Sequence, residues 1–258
     1  MKKEKKIAVL IPCFNEEQTI KKVVSSFREQ LPKADVYVYD NNSTDKTSKK
    51  AQKAGAIVRT EKKQGKGAVM KRMFRDVEAD IYVIVDGDDT YSARSVHKLI
   101  NGVKCGADIV VGDRISNGQY TSENKRYFHS FGNSLVKAMI NRFFHVKLND
   151  IMSGYRAFSR DFVKNYPVLC DGFQIETDMT IFALDHNFII EEIPVEYRDR
   201  PKGSTSKLRT IPDGIKVMFT IFNLHRHYRP LRFFAGISTL FFYCWHYCWN
   251  TCCFGVSG

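Results

Sequence analysis

The apolar run Ile81–Val85 ends in Asp86-Gly87-Asp88-Asp89-Thr90, which sets three carboxylates within four residues. Like charges so close repel one another unless something positive sits on them. Asp and Gly are also common turn formers, so a solvated turn is one reading. A cation site is the other, because hard divalent ions take carboxylate oxygens and can clamp phosphates at the same time. Three further stretches carry comparable groups: "PCFNEE" from Pro12, "DNNSTD" from Asp40 and "GDR" from Gly112.

Each of these stretches closes an apolar, strand-like run, and helical patterns separate the runs. "KIAVLIPCF", "DVYVYD", "AIVRTE", "DIYVIVD" and "ADIVVGDR" read as strands. Between the first two, Ile20, Val23, Val24, Phe27 and Leu31 fall on one helical face. Further helices are predicted after Ser43-Thr44-Asp45, which are good N-cap residues, from Lys66 and from Ser92. Such alternation predicts an α/β fold, a mainly parallel twisted sheet with helices on both faces. Ligands of these sheets bind beyond the carboxyl ends of the strands. All four polar stretches should therefore meet in one crevice, and that convergence favours the cation site over the solvated turn.

The 258 residues include 40 Lys and Arg against 28 Asp and Glu, a net charge of +12. An anionic partner follows: nucleic acid, an anionic membrane surface or a phosphorylated substrate. No nucleic-acid-binding signature accompanies the charge, so nucleic acid is not expected. The apolar run in "MKKEKKIAVLIPCFNEE" is short, lacks a small-residue cleavage site and passes straight into Asn15-Glu16-Glu17. It reads as a first strand rather than a secretory signal, which keeps the protein in the cytoplasm. Of seven cysteines, Cys13, Cys105 and Cys170 are isolated and four crowd the end without paired metal spacing, so neither disulfides nor zinc are expected.

Composition changes near Arg209. Ile211, Ile215, Met218, Phe219 and Phe222 recur at helical spacing, with Lys216, Arg226, Arg229 and Arg232 nearby. A core helix and an amphipathic helix on an anionic membrane both fit. The second is preferred because the pattern leads into the most apolar segment. That segment, from Leu231, is interrupted by His246 and Asn250, where a membrane span wants roughly 20 apolar residues. Reading codons for its Tyr, Cys, Trp and His residues one base later gives an Ile, Val and Gly sequence of ordinary transmembrane type. The expected organisation is a catalytic domain over 1–208, a membrane-surface helix over 209–230 and a partial or frameshifted membrane segment over 231–258. The intact protein would then continue into the bilayer.

"IPCFNEE", "DNNSTDKT", "GKGAVMKRMF", "DGDDTY", "GDR", "NDIMSGYRAF", "GFQIETDMTIFA" and "PVEYRDRPKGSTSKL" follow in that order. Together they resemble the family 2 glycosyltransferases of GT-A fold. The closest branch is that of the dolichyl-phosphate mannose synthases and bacterial polyprenyl-phosphate hexosyltransferases. The resemblance implies inverting transfer of a hexose from a UDP- or GDP-linked sugar to undecaprenyl or dolichyl phosphate at the cytoplasmic face of the cell membrane, with Mg²⁺ or Mn²⁺. It leaves the sugar and the oligomeric state open.

Residue by residue, the resemblance makes Asp86 and Asp88 the metal ligands. It lines the nucleotide-sugar pocket with Pro12, Asn15, Glu16, Asp40 and Lys66, together with Asp86. Asp40, at a strand end, can accept hydrogen bonds from a base or ribose. Glu16 also reads as a first-turn helix residue favoured by the dipole, and Lys66 as part of a turn and helix start without phosphate-loop spacing. The family usually has Asp-Asp-Gly-Ser where this chain has Asp40-Asn41-Asn42-Ser43. Asp89 is extra, and Thr90 stands where the branch often has Gln. Arg114, Arg126, Arg200 and Lys207 match basic positions for the acceptor phosphate, a group that arginine forks grip well; plain surface charge is the other reading, for Arg126 above all. The resemblance makes Asp88, Arg114, Glu176, Asp178 and Arg200 the catalytic set. Glu176 and Asp178 take positioning roles, because a phosphate acceptor is already ionised and needs no strong base. Asp150 is either part of this constellation or purely structural. Two competing functions remain: the same fold acting on a saccharide hydroxyl, and a non-catalytic basic module that binds lipid or nucleic acid.

Overall fold

Strand β1 (Ile7–Cys13) is buried on both sides, with Val9, Ile11 and Cys13 in one apolar cluster and Ala8 and Leu10 in another. A strand so placed must lie inside a sheet covered on both faces. The structure is a computed structural model and describes residues 5–116, 127–170, 172, 174–201, 219, 222, 226 and 230–254. Its seven-stranded sheet has the order β3-β2-β1-β4-β6-β5-β7, with β2 (Asp35–Asp40), β3 (Ile57–Thr60), β4 (Ile81–Ile84), β5 (Ile109–Asp113), β6 (Arg156–Ser159) and β7 (Ile190–Pro194). All neighbours are parallel except β6, which runs against both β4 and β5. In the central register Leu10 sits between Tyr37 and Ile84.

Helices cover both faces, as the alternation predicts. Helix α1 (Ile20–Gln30), with Ile20, Val23, Val24 and Phe27 buried, shares one cluster with α4 (Val96–Lys104) and with Ala51 of α2 (Thr47–Lys53). A single 3₁₀ turn, Ala93–Ser95, leads into α4. On the opposite face lie α3 (Lys66–Asp76), a long α5 (Tyr127–Phe144), α6 (Arg160–Asn165) and α7 (Ile175–Asp185). There α3, α6 and α7 build the second cluster, while Val136 and Ile140 of α5 meet Ile181 of α7 in a third.

Two strands were not foreseen. β6 is four residues long and opens on an arginine, and β7 reads Ile-Glu-Glu-Ile-Pro at the sheet's far edge. Neither has the apolar run that betrays a buried strand; backbone pairing and the neighbours' packing decide them. Pro230–Phe254 forms a last helix, α8, that exposes Leu231, Phe234, Phe241, Trp245 and Trp249. Among the described residues no helix is long and apolar enough to cross a membrane. The expected membrane-surface helix over 209–230 lies mostly outside the described residues; of it, Phe219 and Phe222 are helical and exposed.

Phe162 marks where stability is concentrated. It is fully buried, stacks on Phe158 and Tyr166 at 5.3 and 5.4 Å and meets Phe182 and Phe188 edge-on. Because β6 is antiparallel, Ser159 pairs with Ile81 at the start of β4. Helix α6 thus begins at the edge of the sheet away from the predicted crevice. Phe162→Ala should cost about 3–5 kcal/mol, read as a lower urea midpoint with the crevice geometry preserved.

Candidate active site

β1, β2 and β4 are mutually parallel, and two antiparallel steps through β6 give β5 the same direction. The segments that follow these four strands therefore leave the sheet on one edge, as the sequence predicts. The acidic loop after β4 is held tightly. Gly87 lies against Cys13, where a Cβ would sit 2.6 Å from Sγ, and its carbonyl accepts a hydrogen bond from Thr19 Oγ1 at 2.6 Å. Asp89 adopts φ +60° and its carboxylate meets Lys22 Nζ at 2.5 Å. Thr90 donates to Asp88 Oδ1 from both N (3.2 Å) and Oγ1 (2.7 Å). Thr90 and Asp89 thus shape the loop that presents Asp88.

Two basic side chains reach this loop from distant parts of the chain. Lys66 Nζ lies 2.7 Å from Asp86 Oδ1 and 2.5 Å from Glu176 Oε1, so it joins the start of α3 to β4 and α7. Arg200 Nη2 lies 2.6 Å from Asp88 Oδ2, and its Nη1 is 3.5 Å from Glu16 Oε1. Each cation bridges two carboxylates. Desolvation works against the charge on Lys66, but Asp86 and Glu176 overrule it and hold the ammonium above its ordinary range. Desolvation also opposes ionisation of Asp86, yet Lys66, Arg200 and Arg114 leave its carboxyl below the usual value. Asp88 goes the other way: burial and then the charge of Asp86 push it up, and Arg200 and Thr90 only partly offset them.

The residues that the resemblance assigns to the nucleotide lie beside this cluster. Asn15, at φ +54°, donates its N–H to Ser43 Oγ and accepts the Thr44 N–H on Oδ1 at 2.8 Å. Glu16 donates its N–H to Thr47 Oγ1 at 2.8 Å, and Pro12 lies in β1 opposite Tyr39. Asp40 accepts from the Ser43 N–H at 2.9 Å and from the Ser48 hydroxyl, so its carboxylate orders its own loop while sitting at the end of β2.

Among the residues that the resemblance assigns to the acceptor and to catalysis, the placements divide. Arg114 forms a two-pronged pair with Asp150, Nε to Oδ2 at 2.7 Å and Nη2 to Oδ1 at 2.8 Å, and its N–H also reaches Asp150. Asp150 is in turn set by Glu192, which accepts its N–H at 2.7 Å. Glu176 and Asp178 are two apart on α7 and so face different ways. Glu176 joins Lys66, whereas Asp178 turns into the second apolar cluster and accepts a hydrogen bond from Tyr166. The structure therefore separates two carboxylates that the sequence reading grouped. Arg126 and Lys207 lie outside the described residues.

Two positioning residues escaped the sequence reading. Gly154 packs against Asp86 so closely that a Cβ would overlap the carboxylate. Arg156, 1% exposed, donates to the carbonyls of Ile151 and Ser153 and to Thr180 Oγ1, tying that loop to α7. The one signal for Arg156 was an arginine set between aromatic and apolar residues in "GYRAF".

Among the described residues no three His, Cys, Asp or Glu side chains form a ready-made metal cage. Asp86 and Asp88 nonetheless fit Mg²⁺ or Mn²⁺. They supply hard oxygens only, and burial together with the neighbouring charge of Asp86 holds the Asp88 carboxyl above its ordinary range, a state that a bound cation would relieve. Ions of this kind commonly take one or two carboxylates and complete their shell with substrate phosphates and water.

Residues 8–166 match the family described as Glycosyl transferase family 2, and the chain belongs to that family. It is 32% identical over 236 residues to glycosyltransferase AglJ of Haloferax volcanii, covering 90% of this chain and 76% of that one. A dolichol-phosphate mannosyltransferase of Pyrococcus furiosus is 26% identical over 246 residues, 91% of this chain and 66% of that one. Among solved structures, glucosyl-3-phosphoglycerate synthase of Mycobacterium tuberculosis with Mn²⁺, UDP and glucosyl-3-phosphoglycerate superposes with a TM-score of 0.70 at 21% identity, over 85% of this chain and 80% of that one. The fold is accordingly GT-A-like.

Removing Lys66 should expose the charge balance. The raised lysine stabilises the fold below its ordinary 10.5 and loses this as pH rises through the raised value. The lowered Asp86 stabilises above its ordinary 3.8 and loses this as pH falls through the lowered value. Lys66→Met should therefore cost roughly 3 kcal/mol at neutral pH, the low end for a broken buried ion pair because Asp86 keeps some access to water. The gap to wild type should narrow as pH falls below the ordinary 3.8 of Asp86, measured by urea denaturation from pH 2 to 8.

Proposed function

We propose that this family 2 glycosyltransferase moves a hexose from a nucleoside diphosphate sugar to a polyprenyl phosphate at the cytoplasmic face of the membrane, with inversion. A phosphate oxygen of the acceptor attacks the anomeric carbon as the bond to the nucleoside diphosphate breaks, and the diphosphate leaves with the bonding electrons. The observation that carries this reading is the strand-end assembly in which Lys66 bridges Asp86 and Glu176 while Arg200 bridges Asp88 and Glu16. Asp86 and Asp88 would hold Mg²⁺ or Mn²⁺, which neutralises charge gathering on the leaving diphosphate. Lys66 adds a fixed positive charge beside it. Asn15, Glu16 and Asp40, with Pro12, form the wall against which the nucleoside lies.

Glu176 is engaged by an ammonium rather than held ready as a base. That state suits an acceptor that already carries its negative charge. Arg200, with Arg126 and Lys207 beyond the described residues, provides the positive partners for the acceptor phosphate, while Arg114 is fixed against Asp150 at the edge of the same region. The name of the Pyrococcus relative supports a lipid phosphate acceptor and a hexose of the mannose type. Membrane attachment through the region from Ile211 onward is supported by the net charge of +12 and by the exposed aromatic residues of α8.

The deciding experiment is a panel of UDP- and GDP-sugars with Mn²⁺ and membranes containing polyprenyl phosphate. Sugar appearing on a lipid phosphate supports the reading. Transfer only to a saccharide hydroxyl would replace it with polysaccharide synthesis, and metal-independent binding without turnover would leave a binding module. Within that assay Asp88→Asn should abolish transfer even at saturating Mn²⁺. Arg200→Ala should raise the acceptor KM more than the donor KM, by about tenfold to hundredfold, because a charge-assisted contact is worth roughly 1.5–3 kcal/mol.

A further inference from the structure

Lys66 reaches Asp86 and Glu176 only if the segment before α3 is held in one place, and the groups that hold it are two side-chain amides. Asn41 is 4% exposed and directs both amide hydrogens and its carbonyl oxygen at that segment. Its Nδ2 donates to the carbonyls of Glu61 at 2.9 Å and Lys63 at 2.8 Å, and its Oδ1 accepts the Gly65 N–H at 2.8 Å. Asn42, at φ +63°, donates to the carbonyl between them, Lys62 O, at 2.6 Å. Three consecutive carbonyls thus each receive an amide hydrogen from this pair. Gly65, at φ +129°, then turns the chain into α3, whose first residue is Lys66.

We propose that Asn41, assisted by Asn42, is the positioning residue that sets Lys66 in the site. The chemistry requires an amide. A carboxylate at 41 could still accept from Gly65, but it would turn lone pairs toward two carbonyl oxygens now bonded by N–H groups. The Asn-Asn pair is where this chain departs from Asp-Gly, so the departure and the clamp have one explanation. The consequence for turnover rests on the donor-site reading of Lys66; the position of Lys66 does not.

The test is trace acylation of lysines with acetic anhydride, read peptide by peptide by mass spectrometry on the full chain. In the wild type Lys66 should be protected by its two carboxylates. In Asn41→Asp, which removes two buried hydrogen bonds, its labelling should rise by at least about tenfold, the scale of one such bond, with Lys98 and Lys104 unchanged and unfolding still cooperative. Asn42→Asp, which loses one carbonyl partner instead of two, should give a smaller rise. In active preparations Asn41→Asp should raise the donor KM and leave the acceptor KM unaltered. Unchanged Lys66 labelling in a folded Asn41→Asp protein would overturn the proposal. If that variant does not fold, Asn41→Ser, neutral and smaller, carries the same measurement with the same two outcomes. A full labelling response in a protein that transfers no sugar would sink the functional reading and leave the clamp standing.

Discussion

Two carboxylates at the end of a buried strand repel each other, and much of the crevice is arranged around that repulsion. Asp86 and Asp88 are separated by one glycine, with Asp88 buried and Asp86 partly so. At short range and low dielectric such a pair stays ionised only with positive charge at hand. Lys66 and Arg200 supply it from opposite ends of the fold, and each also takes a second carboxylate, Glu176 or Glu16. The segment that delivers Arg200 is tied to the acidic loop itself: the Arg198 N–H donates to Thr90 O at 2.8 Å, and Tyr91 and Tyr197 pair as an isolated bridge. Loop and counter-charge are therefore positioned as one unit.

The reversed strand β6 serves the same constraint. It allows β5 to run parallel to β4 with one strand between them, which opens the strand-end edge at that point. Into the space comes the loop Ile151–Gly154, whose glycine lies on Asp86 and whose Ser153 hydroxyl donates to Gly112 O at 2.6 Å. Arg156 anchors this loop from beneath and reaches Thr180, whose hydroxyl also donates to Glu176 O at 2.9 Å. A buried guanidinium among carbonyls is a weak source of stability. Its placement makes sense as a spacer that keeps the Asp86 loop and the Glu176 helix in register.

What the sequence made legible follows from which signals are local. The first five strands and helices α1 to α4 carry their own periodicity, and the convergence of their polar ends follows from the parallel rule alone. The pairing of Lys66 with Glu176 spans 110 positions, so no local pattern announces it. For Glu176 and Asp178 the difference is one of angle: both are acidic and both precede an apolar run, yet the helical step sends one to an ammonium and the other to Tyr166. Arg114 carried no sign of its partner in the sequence because Asp150 lies 36 residues on, beyond α5. The two asparagines at 41 and 42 registered only as departures, since their meaning lies in carbonyls twenty residues away.

Stability and chemistry occupy different ends of the same sheet. The aromatic stack of Phe158, Phe162, Tyr166 and Phe182 lies by α6 and α7, toward the edge where β4 begins, and is held by apolar burial that ionic conditions barely touch. The charged assembly lies at the other edge, held by ion pairs and amide clamps whose strength depends on exact neighbours. That separation explains how Asn41 and Asn42 can replace acidic and glycine positions without disturbing the fold. The core carries the free energy of folding, so the strand-end loops are free to be fixed by whichever hydrogen bonds place Lys66 correctly. A change of amide there alters first where the Lys66 charge stands, and stability follows through the ion pairs that charge makes.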